Sequence, residues 1–123
     1  MGNPVVYFEI LTSDPQKHRA FYRDAFDWEI SEPVPGSGIS DYTFVKTGDP
    51  RVEGGIGALP ENGYAGHVTF YIAVPDIAQA FKEILAHGGT HMMGPDQVPN
   101  GPIIGLFQDP AGNTIGLVQQ PTA

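Results

Sequence analysis

The sequence predicts an α+β domain made of two copies of one strand–helix–strand–strand–strand unit. Three observations carry that reading. A strand-like run leading to an aspartate occurs twice, at Val5 to Leu11 before Asp14 and at His67 to Val74 before Asp76. The two aspartates stand about half of the 123 residues apart, and a repeat on that scale is a fold signal. Each aspartate opens an amphipathic helical stretch, followed by short apolar runs between glycines and prolines, of which the chain has 16 and 12. One such unit is too small to bury its own sheet, so the two are expected to form a single domain over residues 1–123. Module one is expected at about 4–60 and module two at about 64–120.

The elements follow in order. Val6, Phe8 and Ile10 alternate with Tyr7, Glu9 and Leu11, the period of two that marks a strand. Asp14-Pro15 supplies an N-cap and a first-turn proline. Phe21, Tyr22, Ala25 and Phe26 give the helix its apolar stripe. Strands are expected at 28–30 and 42–47, split by a loop at 33–40, and a glycine-weakened strand at 54–59. A linker is expected at 61–66.

The second copy repeats the plan. Val68, Phe70, Ile72 and Val74 form one strand face, and Thr69, Tyr71 and Ala73 the other. Asp76 with Gln79 resembles a capping box. Ile77, Phe81, Ile84 and Leu85 form the buried stripe, and Gly88-Gly89 ends the helix. Strands are expected at 90–93, 103–108 and 114–119, with a turn at Asp109 to Asn113. In both copies the helix is expected to cover the wholly apolar strand face. The opposite faces carry Tyr7, Glu9, Thr69 and Tyr71. If the strands curl, those faces line a cup, the usual form of a small-ligand site.

Composition narrows function. The net charge is −8 with 6 Lys and Arg, which leaves no electrostatic footprint for nucleic acid. No apolar run reaches the ~20 residues of a membrane span, and the N-terminal residues lack a signal-peptide core. A cytoplasmic protein is expected. The absence of cysteine excludes disulfides, thiolate metal sites and cysteine nucleophiles. Gly54-Gly55-Ile56-Gly57 precedes no helix, so it fails as a phosphate loop.

Asp14-Pro15, Phe21-Tyr22, Phe26-Asp27-Trp28, Gly54-Gly55, Val74-Pro75-Asp76, Gly88-Gly89 and Asp109-Pro110-Ala111-Gly112-Asn113 together resemble the vicinal oxygen chelate superfamily. It includes glyoxalases, bleomycin resistance proteins and extradiol dioxygenases. The resemblance runs over roughly residues 4 to 120 and implies two βαβββ modules, a curved eight-stranded sheet, helices on its outer face and frequent homodimers. It also implies four metal-ligand positions, which fall here on Tyr7, Gly57, Thr69 and Gly116. None of these is a good ligand for zinc, nickel, manganese or ferrous iron. No metal and no cofactor is therefore expected.

The leading expectation is a small-molecule-binding homodimer that sequesters a ligand, such as a cationic aromatic antibiotic. Its site is expected at Tyr7, Glu9, His67, Thr69 and Tyr71, with Gly57 and Gly116 leaving space and Phe107 on the neighbouring strand. Glu9 has two readings: a ligand anchor, or a structural partner of Lys46 or an arginine. Tyr71 is the candidate for stacking on a flat ligand. The alternative is a metal-dependent lyase or isomerase with an atypical ligand set drawn from Glu9, His67 and His91. Pro99 to Pro102 is expected to be a loop that closes over the cup.

Overall fold

The fold starts from two alternating strands, each handing the chain to a helix through a capping aspartate. A computed structural model describes residues 2–36, 39–59 and 66–120. The predicted linker at 61–66 lies outside these residues except for Gly66. The elements are β1 (Val5–Thr12), α1 (Pro15–Phe26), β2 (Glu29–Ile30), β3 (Thr43–Lys46), β4 (Glu53–Ala58), β5 (Gly66–Val74), α2 (Ile77–Ala86), β6 (Thr90–Gln97), β7 (Ile103–Gln108) and β8 (Thr114–Gln119). The predicted α+β class and the repeated βαβββ order are both present. No helix among the described residues is long and apolar enough to cross a membrane.

The chain divides into two compact units. The first is Val6–Val68; the second is Thr69–Ala123 together with Met1–Val5. The N-terminal arm therefore joins the later half, where the Ala73 amide donates to the Pro4 carbonyl at 2.8 Å.

In the first unit the strand order is β2-β3-β4-β1, with β4 parallel to β1. The Asp14 side chain caps α1 by accepting from the Lys17 amide, and Pro15 opens the helix. Ile10, Val45 and Ile56 form the core, packed by Phe8, Tyr22, Trp28 and Ile30. Tyr22 stacks on Trp28 with centroids 4.9 Å apart. Only part of the predicted α1 stripe is used: Tyr22 is half-buried, whereas Phe21 and Phe26 are 56% and 59% exposed.

The glycine-rich β4 is an interior strand, flanked by β3 and β1. Its glycines make room for aromatic rings. A Cβ on Gly54 would collide with the ring of Phe8, its register partner on β1. The feature that made this segment look weak is what lets it sit in the middle.

In the second unit the order is β5-β8-β7-β6, with β8 parallel to β5. Ile77 and Phe81 of α2 are buried with Val74, Phe107, Ile115 and Leu117, and Ile72 and Ile84 pack against them. The Asp76 carboxylate accepts from the Gln79 amide. Gly88 closes the helix at φ +96, a conformation that favours glycine. Leu85 is 56% exposed and Val68 72% exposed, so α2 covers only the Ile72–Val74 end of the apolar strand face. The Asp109 turn forms as expected. Its carboxylate accepts from the Asn113 side chain and from the amides of Asn113 and Ala111, and these bonds, that of the Asn113 side chain first, hold it below the usual carboxylate range. Pro99 to Pro102 is part of a tight β6–β7 hairpin turn, closed by reciprocal backbone contacts of Val98 with Gly101 and Pro102.

Candidate functional site

Alternation along β1 turns Tyr7 and Glu9 away from α1. Their neighbours across β4 are Glu53 and Gly55, and beyond Gly55 on β3 lies Phe44. Tyr42, one residue before β3, points to the same face as Phe44, two residues on, while Thr43 and Val45 are buried on the other side, Val45 in the core. These side chains form one network. Tyr42 Oη donates to Glu9 Oε2 at 2.9 Å, and the hydroxyls of Tyr7 and Tyr42 are 2.7 Å apart. A phenol has one proton to give. Because Tyr42 gives its proton to the carboxylate, Tyr7 donates to Tyr42. Glu9 is only 7% exposed and Tyr42 only 5%, so this is a buried carboxylate served by phenols.

The electrostatics match. Burial, reinforced by the charge of Glu9, raises the Tyr42 hydroxyl far above the usual tyrosine range. Burial also raises Tyr7; its bond to Tyr42 opposes that shift, and Glu9 and Glu53 add to it. Both phenols thus remain neutral donors. In the unfolded chain they ionise near pH ~10. A pKa raised by folding contributes stability that is complete below the unfolded value and is lost as pH rises through the folded one. Stability should therefore fall above pH ~10, and Tyr7 and Tyr42 should ionise only on unfolding. Tyrosinate absorbance near ~295 nm followed alongside circular dichroism checks this; five tyrosines titrating together ahead of unfolding would contradict it.

The matching face of the second unit is closed. Thr69 is buried and its hydroxyl donates to the Thr114 carbonyl at 2.7 Å. Tyr71 pairs with Gly116 across β5 and β8, and a Cβ on Gly116 would lie inside van der Waals contact of the Tyr71 ring. Phe107 belongs to the core beneath α2. Its register partner Ile115 shares that side, so the expectation that Phe107 lines a site is corrected. His91, register partner of Phe107, also faces α2: its ring lies 4.5 Å from that of Phe81, and Nε2 is 2.7 Å from the Gly94 carbonyl. His67 is half-buried on β5, and burial lowers its pKa, which favours the neutral imidazole. His18 binds Thr12 and the Asp14 carbonyl at the start of α1.

Of the residues brought together here, sequence reasoning named Tyr7, Glu9 and Gly57 and did not name Tyr42 or Phe44. The available signal was Phe44 alternating with Thr43 and Val45 on a short strand, but the register that sets Tyr42 beside Glu9 is not written locally. A cavity of about 380 Å³, lined by Asp27, Glu29, Lys46, Asp49 and Glu53 among others, reaches this row at Glu53, the register partner of Tyr7. It contains none of the residues chosen from the sequence.

The fold matches a known class. Residues 5–117 match the family model of the Glyoxalase/Bleomycin resistance protein/Dioxygenase superfamily, and the chain belongs to that superfamily. A "Glyoxylase-like domain-containing protein" of Didymella fabae is 27% identical over 118 residues, covering 92% of this chain and 91% of that protein. Among solved structures, a hypothetical protein from Bacillus halodurans C-125 aligns at TM-score 0.75 and 14% identity, over 100% of this chain and 98% of the other. Methylmalonyl-CoA epimerase from Mycobacterium tuberculosis aligns at TM-score 0.72 and 15% identity, over 97% and 88%. At these identities the structural likeness speaks for the fold.

The superfamily's metal can be tested against the donors. At the four positions that the resemblance implies stand a phenol held protonated, a threonine committed to a carbonyl and two glycines. A Cβ on Gly57 would come within 2.7 Å of the Tyr42 ring and 2.9 Å of Ile39. Among the described residues, no three His, Asp or Glu side chains are grouped as a metal would need. This donor set does not fit a divalent metal.

Proposed function

We propose that this protein binds a small molecule without a divalent metal, and that its ligand is an aromatic cation held without conversion, as in sequestration of an antibiotic. One observation carries the reading: the Tyr42 ring fills the space above Gly57 while its hydroxyl serves the buried Glu9 carboxylate. A carboxylate among aromatic rings suits an ammonium group, and the net charge of −8 favours a cationic partner. The rival reading, a metal-dependent lyase or isomerase using Glu9, His67 and His91, gains no support from His91, which is turned toward α2.

The test has two arms. Protein purified without chelator should carry no stoichiometric transition metal by mass spectrometry. A thermal-shift screen should favour cationic aromatics over anions and neutral diketones. Glu9→Gln should weaken the best hit by about 1–3 kcal/mol, roughly a 5- to 150-fold loss. About one tight metal per chain, or stabilisation by anions alone with Glu9→Gln silent, overturns the reading.

The same reading carries a cytoplasmic homodimer. The glycine-containing strands β4 and β8 offer no free edge for such pairing, being interior in their units. The remaining support is apolar surface exposed on one chain, at Phe21, Phe26, Val68 and Phe70. Light scattering at tens of micromolar should report twice the 13.2 kDa chain mass; a monomer there counts against it.

A further inference from the structure

We propose that the cavity beside Glu53 receives the ammonium end of the ligand, with Glu53 as its anchor and Lys46 as the charge that tunes it. The inference rests on the ligand-binding reading above and deepens it. Glu9 is 7% exposed and engaged by Tyr42, so it acts from behind the phenols, and the direct contact falls to a carboxylate that a ligand can reach. Asp27, Glu29, Lys46 and Glu53 border the cavity of about 380 Å³, a volume in the ordinary range of small-ligand sites.

Strand register puts most of these groups in one row. Glu29 pairs with Lys46, Lys46 with Glu53 and Glu53 with Tyr7 across β2, β3, β4 and β1, so these side chains stand on the face that carries Glu9. Opposite charges directly across neighbouring strands are placed to pair, yet here they do not. The ion pairs of the described residues join Arg19 to Asp41, Arg51 to Asp49 and His87 to Glu83; neither Lys46 nor the carboxylates of Asp27, Glu29 and Glu53 take part. The cavity therefore meets unpaired charges of both signs, with the negative in surplus. The charge of Glu53 is felt at the Tyr7 hydroxyl, which ties the cavity to the phenol network. The opposite wall is set in advance. Pro50 and Val52 give it apolar surface. Their turn is held by Arg51, whose guanidinium meets the Asp49 carboxylate at 2.7 Å and whose amide donates to the same group at 2.9 Å. A preformed wall costs little ordering when a ligand arrives. The ammonium lies on Glu53, and the apolar part of the ligand lies along Pro50 and Val52.

Benzylammonium, benzyl alcohol and phenylacetate are close in size and differ in charge. Each is titrated by NMR into the wild type, Glu53→Gln and Lys46→Met. The wild type should bind benzylammonium most tightly. Glu53→Gln should weaken that binding about two- to fivefold, the scale of an exposed ion pair. Lys46→Met removes the competing cation and keeps an apolar stem, so it should tighten benzylammonium about two- to fivefold. Benzyl alcohol should stay within about twofold throughout. The opposite signs are decisive, since a merely structural role at either position would weaken every probe. Melting curves establish that both variants are folded; should Glu53→Gln not fold, Lys46→Met decides alone. Benzylammonium binding that Glu53→Gln leaves unchanged, or that Lys46→Met fails to tighten, overturns the cavity assignment and leaves the cationic reading standing. Benzyl alcohol or phenylacetate bound by the wild type as tightly as benzylammonium overturns the cationic ligand and its anchor together. No binding of any probe to the wild type overturns both as well.

Discussion

Tyr42→Ala should destabilise the protein by about 3–5 kcal/mol, the cost of deleting a buried aromatic side chain. Tyr42 is 5% exposed, and its ring occupies the space over Gly55 and Gly57, so its removal leaves a cavity the glycines cannot fill. The variant also strips Glu9 of one hydrogen-bond donor, and the loss of a donor to a buried carboxylate adds its own penalty. Tyr42→Phe keeps the ring and removes only the hydroxyl, so it should cost less, about 1–3 kcal/mol. Urea denaturation with an unchanged slope measures both. If alanine cost no more than phenylalanine, the ring would not be filling the space assigned to it.

Gly116→Glu should also be strongly destabilising and should gain no metal. The substitution puts a carboxylate at one of the ligand positions that the resemblance implies, yet the Tyr71 ring already lies across Gly116. Overpacking of this sort costs about 1–3 kcal/mol or more, and here a carboxylate is added to a face that offers it Thr69 and Tyr71 as neighbours. Gly116→Ala should cost less, because only the first carbon must be accommodated by rotation of Tyr71. Equilibrium unfolding together with zinc and nickel titration checks the pair. A stable Gly116→Glu protein that binds either metal tightly would show that the ring is a replaceable filler.

Local rules made most of the fold legible. Alternation fixed β1 and β5, the aspartates fixed the starts of both helices, and Gly88 fixed the end of α2. These features depend on neighbours within a few residues. What failed to read through depends on register. Phe107 and Phe44 each alternate on their strands, and alternation alone does not say which side faces a helix. Phe107 turned inward because Phe81 and Ile115 wait there. Phe44 turned outward because Val45 took the core position. Tyr42 meets Glu9 across 33 positions of chain, a pairing set by how β3 and β1 flank β4. The same strand was misjudged for composition, since glycine weakens an isolated strand but admits aromatic rings in a paired one.

The division of the chain has a consequence for the order of assembly. The first unit closes on itself when β4 pairs beside β1, and everything it needs lies before residue 69. A chain emerging from its N-terminus can complete that half early. The second unit cannot close until β8 arrives to pair with β5. The arm at residues 1–5 belongs to that later half, so residues made before the whole first unit wait for a partner made after it. Contacts that wait for distant sequence slow folding, and the slow step in this protein is expected at the return of the arm and β8, after the Tyr42–Glu9 network has formed.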